Sequence, residues 1–149
     1  MANLFPTETV TATSGTDETA SQVTFGTSWQ FDFEKGEFVT TVTGKAVQTH
    51  DTDAWVEWCQ KALITQRYRY LIYGRLYGQE FEDLIRKNLN RAGNESEIKR
   101  IATEALMVDP RTAKVDNFMF TWDGDTVYFT CQITNVWDET ATVSNKVVI

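Results

Sequence analysis

Between Phe118 and Ile133, apolar side chains fall on every second position. Phe118, Phe120 and Trp122 alternate with Met119 and Thr121, and Val127, Phe129, Cys131 and Ile133 alternate with Tyr128, Thr130 and Gln132. Period two puts each set on one face of a pleated strand. Asp123-Gly124-Asp125 separates the runs, which reads as a hairpin turn. A hairpin with one face this apolar must be covered, and the segments before it change to helical spacing.

Asp51-Thr52-Asp53 can cap free N–H groups at a helix start. Ala54, Trp55, Trp58, Cys59, Ala62 and Leu63 follow as an apolar stripe. Phe81, Leu84, Ile85 and Leu89 mark a second helix, stopped near Gly93. Asn94 and Glu97 form a capping-box pattern opening a third, carried by Ile98, Ile101, Ala102, Ala105 and Leu106. Pro110 ends it, because the residue before a proline avoids the helical region. Upstream, Trp29, Phe31 and Phe33 alternate as a strand. Glu34-Lys35-Gly36-Glu37 is a turn, and Phe38 to Thr43 returns as a second strand. Tyr68 to Tyr73 reads as a short buried segment.

Strands at both ends with helices between them predict an α+β fold: an antiparallel sheet with three helices packed on one face. The expected organisation is a single domain over residues 25–149 with a C-terminal linking strand. Residues 1–24, rich in Thr, Ser and acids, have too few large apolar groups to offset ordering entropy and are expected to form an extended or flexible arm.

Charge narrows the partners. The net charge of −7 is distributed as −6 over residues 1–53, +3 over 54–114 and −4 over 115–149. A globally acidic chain is a poor binder of nucleic acid, whereas a basic middle between acidic ends suits protein neighbours of mixed charge or a solvated helical face. No apolar run is long enough to cross a membrane, and the first residues lack a secretory pattern, so a cytoplasmic fold is expected. Cys59 and Cys131 fall on apolar faces and read as buried reduced thiols. His50 is the one histidine, which argues against a His-rich metal site; any Ser-His-Asp triad would have to use it, and no cofactor is expected.

Phosphate loops and nucleophile motifs are missing. Glu80 with Asp83, or Glu104 with Asp109, could serve as the acid and base of a glycosidase, but helical spacing beside basic residues also fits surface charge. Asp109-Pro110-Arg111 stands between a helix and a strand. Pro110 sets a sharp exit, and Arg111 is held on a rigid corner where its guanidinium can bond a partner or, braced by Asp109, close a local salt bridge. The stretch Arg67 to Tyr77 holds four tyrosines and three arginines, counting Arg67, Tyr68, Tyr70, Tyr73 and Tyr77 among them. Such density suits a core rim or an interface hot spot equally. The terminal strand from Val143 to Ile149 can close its own sheet or add to a neighbour's edge, and the intermolecular reading is favoured slightly.

These residues resemble a family. The runs Phe31 to Gly36, Trp58 to Tyr73, Tyr77 to Glu80 and Ile101 to Arg111 are similar to the XkdS-like proteins of PBSX-type prophages and to the wider baseplate-wedge family, the sheath initiators of contractile tails. The resemblance spans about residues 25–135. It implies a non-enzymatic structural component of a contractile phage tail, tail-like bacteriocin or related injection system, assembled in the bacterial cytoplasm. Its implied partners are baseplate wedge and sheath proteins, and possible tube or hub contacts, with six copies per ring. By matching position, Asp109, Pro110 and Arg111 take the wedge-contact role, although this chain has Asp where the family's signature has Glu. The strands holding Val127, Phe129, Val143, Val147, Val148 and Ile149 take the sheath-linking role. A lysozyme-like hydrolase and a generic protein-binding module are the alternatives.

Overall fold

A computed structural model describes residues 22–149. The expected arm over residues 1–24 therefore lies outside the described residues except at its last three positions. The elements run β1 (Thr27–Trp29), β2 (Phe31–Asp32), β3 (Glu37–Phe38), β4 (Gln48–His50), α1 (Asp51–Ile64), α2 (Asp83–Lys87), α3 (Arg91–Met107), β5 (Thr112–Asp123), β6 (Thr126–Asn135) and β7 (Thr140–Val148).

The α+β architecture holds. β5, β6 and β7 form one antiparallel sheet in that order. Its inner face presents Val127, Phe129, Cys131 and Ile133 from β6 with Val143 and Val147 from β7, all buried. The three helices cover this face through Trp55, Cys59, Leu63, Leu84, Ile98, Ile101, Ala102 and Leu106. The Trp55 indole lies at the centre, fully buried, and donates to Thr112 Oγ1 at 2.9 Å. Burial of the ring thus leaves no unsatisfied N–H.

Several local expectations are corrected. The N-terminal hairpin is broken into two small sheets: β2 pairs with β3 around a turn containing Gly36 at φ +75°, and β1 pairs instead with β4. The first helix takes the expected span, but no side chain caps it; Thr52 bonds Glu139 instead. The second helix shrinks to five residues because Asn88 turns left-handed at φ +44°. The third begins four residues early. Asn90 is its cap, accepting from Gly93 N at 2.8 Å, so Gly93 lies inside the helix rather than ending its predecessor. Asn94, expected to be the cap, is buried and donates to Leu89 O.

The terminal strand is the larger correction. β7 pairs with β6 over nine positions, from Thr126↔Val148 to Thr134↔Thr140, within its own molecule. Its buried Val143 and Val147 leave little choice of partner, since shifting the strand by one residue would expose both.

Cys59 and Cys131 are free and buried, and burial pushes both thiols up to about 12. Neither should react with a thiol reagent in the native protein at pH 8, and both should label once urea unfolds it; mass spectrometry of the labelled chain reads the difference.

Candidate functional site

Two features singled out in the sequence have opposite fates. The corner after α3 turns inward, and the tyrosine-rich segment turns outward.

At the corner, Arg111 Nε bonds both carboxylate oxygens of Asp109, at 2.9 and 3.0 Å. Its second terminal nitrogen also meets Asp109, and the first donates to Phe25 O at 2.7 Å. The guanidinium lies 5.9 Å from the Trp58 ring. Asp109 is buried, and the Arg111 side chain is 14% exposed. The expectation of a guanidinium presented to a neighbouring chain is therefore corrected: the local salt bridge describes the geometry. Local spacing permits this closure, and the Phe25 carbonyl, brought from far along the chain, completes it. Residues i and i+2 around a proline bend bring carboxylate and guanidinium together, and a buried carboxylate needs a cation.

The corner instead organises a surface. Val136 N donates to Arg111 O, and Phe25, tied to Arg111, stacks on Trp137 at 3.7 Å. Asn135, fully buried, holds the following turn by accepting from Trp137 N and Glu139 N. Around this knot Met107, Val108, Pro110, Val136 and Trp137 are exposed. Sequence reasoning missed Phe25, Val136 and Trp137; nothing in their spacing connects them to residue 111.

The stretch Tyr68 to Tyr73 is not buried as expected, and of the two readings of Arg67 to Tyr77 the exposed one describes most of it. Leu71 and Ile72 are 103% and 87% exposed, and Tyr68, Tyr70, Tyr73 and Leu76 are exposed as well. The buried stripe of α1 is supplied by Trp55, Cys59 and Leu63, and the loop leaves the helix beyond it. The loop is nonetheless built. Its ends meet at a parallel bridge, Arg67 N to Gln79 O and Gln79 N to Thr65 O, the closed neck of a compact surface loop. Gly78 sits at φ +99°, and a Cβ there would lie 2.6 Å from Thr65 O, so glycine is required. Along one side Trp58, Tyr77, Tyr73 and Tyr70 form a row of touching rings.

Arg67 stiffens the neck. Its side chain is 7% exposed; it donates to Gly78 O, to Glu80 at 3.1 Å and to Glu104 of α3 at 2.8 Å. Burial opposes its charge, but the bond to Glu104 and the field of both carboxylates outweigh that and raise its pKa. The network continues from Glu104 to Arg100, then Glu97, then Lys87 of α2. Glu80 and Glu104, two of the candidate glycosidase carboxyls, are thus both engaged by one arginine, and Asp109 by another. His50 is exposed at the end of β4. Among the described residues, no group of three His, Cys, Asp or Glu side chains could hold a metal, and no helix is long and apolar enough to cross a membrane.

The expected sheath-linking residues divide. Val127, Phe129, Val143 and Val147 face the core, Val148 is exposed, and Ile149 is half-buried with its N–H on Asp125 O. On the outer edge of β7, the Gln60 side chain occupies both main-chain groups of Ser144. The β5 edge is interrupted by an irregularity between Asp116 and Met119, with Asn117 at φ +49°. Such bulges blunt an edge against unplanned pairing.

Arg111→Ala leaves Asp109 buried without its cation, and should lower stability by about 3 kcal/mol in urea unfolding. Bonds from Arg100 and then Lys87 hold Glu97 at about 2, below its ordinary 4.5. Its contribution to stability is therefore present above about 4.5 and lost as pH falls toward 2. The difference in urea midpoint between the wild type and Glu97→Gln should shrink over that window.

Residues 27–139 match the family model described as contractile injection system sheath initiator. The chain is also similar to the phage-like element PBSX protein XkdS of Bacillus subtilis strain 168, at 31% identity over 100 residues, 66% of this chain and 66% of that protein. Together with the α+β architecture, the match over residues 27–139 places this chain in the sheath initiator family of contractile injection systems.

Proposed function

We propose that the protein is a structural, non-enzymatic baseplate component that docks on the wedge core bundle of a contractile phage tail, or tail-like injection system, and templates the first sheath layer. The observation that carries this reading is the cinched loop: an ion-paired neck holds Tyr68, Tyr70, Leu71, Ile72, Tyr73 and Leu76 out in solvent. A contiguous apolar patch on a rigid support is the mark of a protein-docking surface.

The corner contributes beside it. Asp109 and Arg111 act by holding Pro110, Val108 and Trp137 in position, and these exposed groups make the wedge contact. Sheath linkage falls to the three-stranded sheet, whose outer edges can accept a further strand. Gln60 blocks β7 at Ser144, so the regular part of β5 from Met119 to Asp123 is the favoured edge. Six copies around a ring would multiply modest contacts into stable attachment. Glycoside hydrolysis is not favoured, because Glu80, Glu104 and Asp109 are each committed to an arginine.

Leu71→Ser/Ile72→Ser should leave the urea midpoint of the isolated protein within about 0.5 kcal/mol of wild type, since both side chains are in solvent. The same variant should be lost from purified particles, with unsheathed tubes in micrographs. Sheathed particles carrying the variant at normal copy number would remove the loop from the docking role.

A further inference from the structure

The loop carries a charge that no carboxylate among the described residues pairs with. Between Gln66 and Gln79 there are three arginines and no acid. Arg67 is spent on the neck, whereas Arg69 and Arg75 pair with no carboxylate among the described residues. Beside Arg69 lies an open groove of about 480 Å³ whose lining includes Ile64, Tyr70, Ile72 and Tyr73 together with Glu82, a carboxylate already bonded by Gln66. The surface calls for an extended peptide with apolar side chains and negative charge.

Residues 1–21 of this chain have that chemistry. They contain Glu8, Asp17 and Glu18, no Lys or Arg, and the adjacent apolar pair Leu4-Phe5. They lead into Phe25, whose carbonyl is held by Arg111. Arg111 lies over Trp58, and from Trp58 the rings of Tyr77, Tyr73 and Tyr70 follow at centroid spacings of 5.5, 4.7 and 6.1 Å. The root of the segment thus stands at the foot of the aromatic row. Twenty residues can span on the order of 60 Å when extended, well beyond a few ring spacings.

We infer that segment 1–21 docks on the loop of its own chain, with Leu4 and Phe5 in the groove beside Tyr70 and Ile72 and its carboxylates facing Arg69 and Arg75. Tethering makes weak contacts sufficient, because the local concentration of a linked segment is in the millimolar range. Occupancy would also cover side chains that are an aggregation liability in a free subunit. The inference concerns the free subunit: the segment covers the surface until the loop docks and is displaced by that contact, so it goes beyond the docking role proposed above.

Disulfide trapping in the full-length chain tests it. Phe5→Cys is combined with Leu71→Cys, or with Val42→Cys as a control on an exposed turn elsewhere. The native Cys59 and Cys131 are buried and stay out of the reaction. Under mild oxidation the 5–71 pair should close within one chain at least about tenfold faster than the 5–42 pair, the advantage of a held over a free tether. Arg69→Glu/Arg75→Glu should abolish that advantage. Equal rates for the two pairs, or a disulfide formed chiefly between two chains, would overturn the assignment; the second result would give the site to another copy's segment. The readout needs only purified protein, so it is separate from particle assembly. Absent trapping alongside failed incorporation of Leu71→Ser/Ile72→Ser would defeat the inference and leave the docking role intact.

Discussion

One ion pair holds the separate parts of this molecule to a common point. Asp109 leaves α3, Arg111 enters β5, and their contact is made across a proline bend that neither element could set alone. The same guanidinium takes the Phe25 carbonyl and covers Trp58 of α1. Through Phe25 and Trp137 it reaches the β6–β7 connection. A buried carboxylate tolerates one arrangement, the one that keeps a cation beside it. The helix exit, the incoming N-terminal strand segment and the sheet are therefore positioned together.

A second arginine does comparable work on the outside. Arg67 closes the neck of the exposed loop by bonding Glu80 next to it and Glu104 far along the chain. The loop projects from α1, but its orientation is set by α3. For the proposed docking role this matters because a contact surface must be presented in a defined direction. In the proposed docking, apolar side chains at the tip would supply contact area, while the ionic neck would limit the entropy lost on binding. Corner and loop share the Trp58–Tyr77 contact, so the two proposed contact surfaces are continuous through the aromatic row.

Legibility in the sequence followed the range of the interactions. The alternation from Val127 to Ile133 announced its buried face, and all four residues are inside. The α1 stripe and the stop at Pro110 were equally plain, because periodicity and proline geometry act over a few residues. Cap positions were less secure. Asn90 and Asn94 offer the same chemistry four residues apart, and Asn94 was drawn into the interior by its bond to Leu89 O. The buried reading of Tyr68 to Tyr73 failed, and the choice between core rim and interface stayed open, because density of aromatic residues reports hydrophobicity, not whether the core still has volume to fill.

Family membership, the α+β class and the placing of helices between two groups of strands were carried by the sequence alone, since each rests on local pattern or on runs of residues kept in order. Direction was not. Whether Arg111 faces a partner or Asp109, whether Tyr70 to Tyr73 lie in or out, and whether β7 pairs at home or abroad depend on which distant groups arrive first-hand beside them. Glu104, Phe25 and β6 decide those questions, and they meet these segments only in the folded chain.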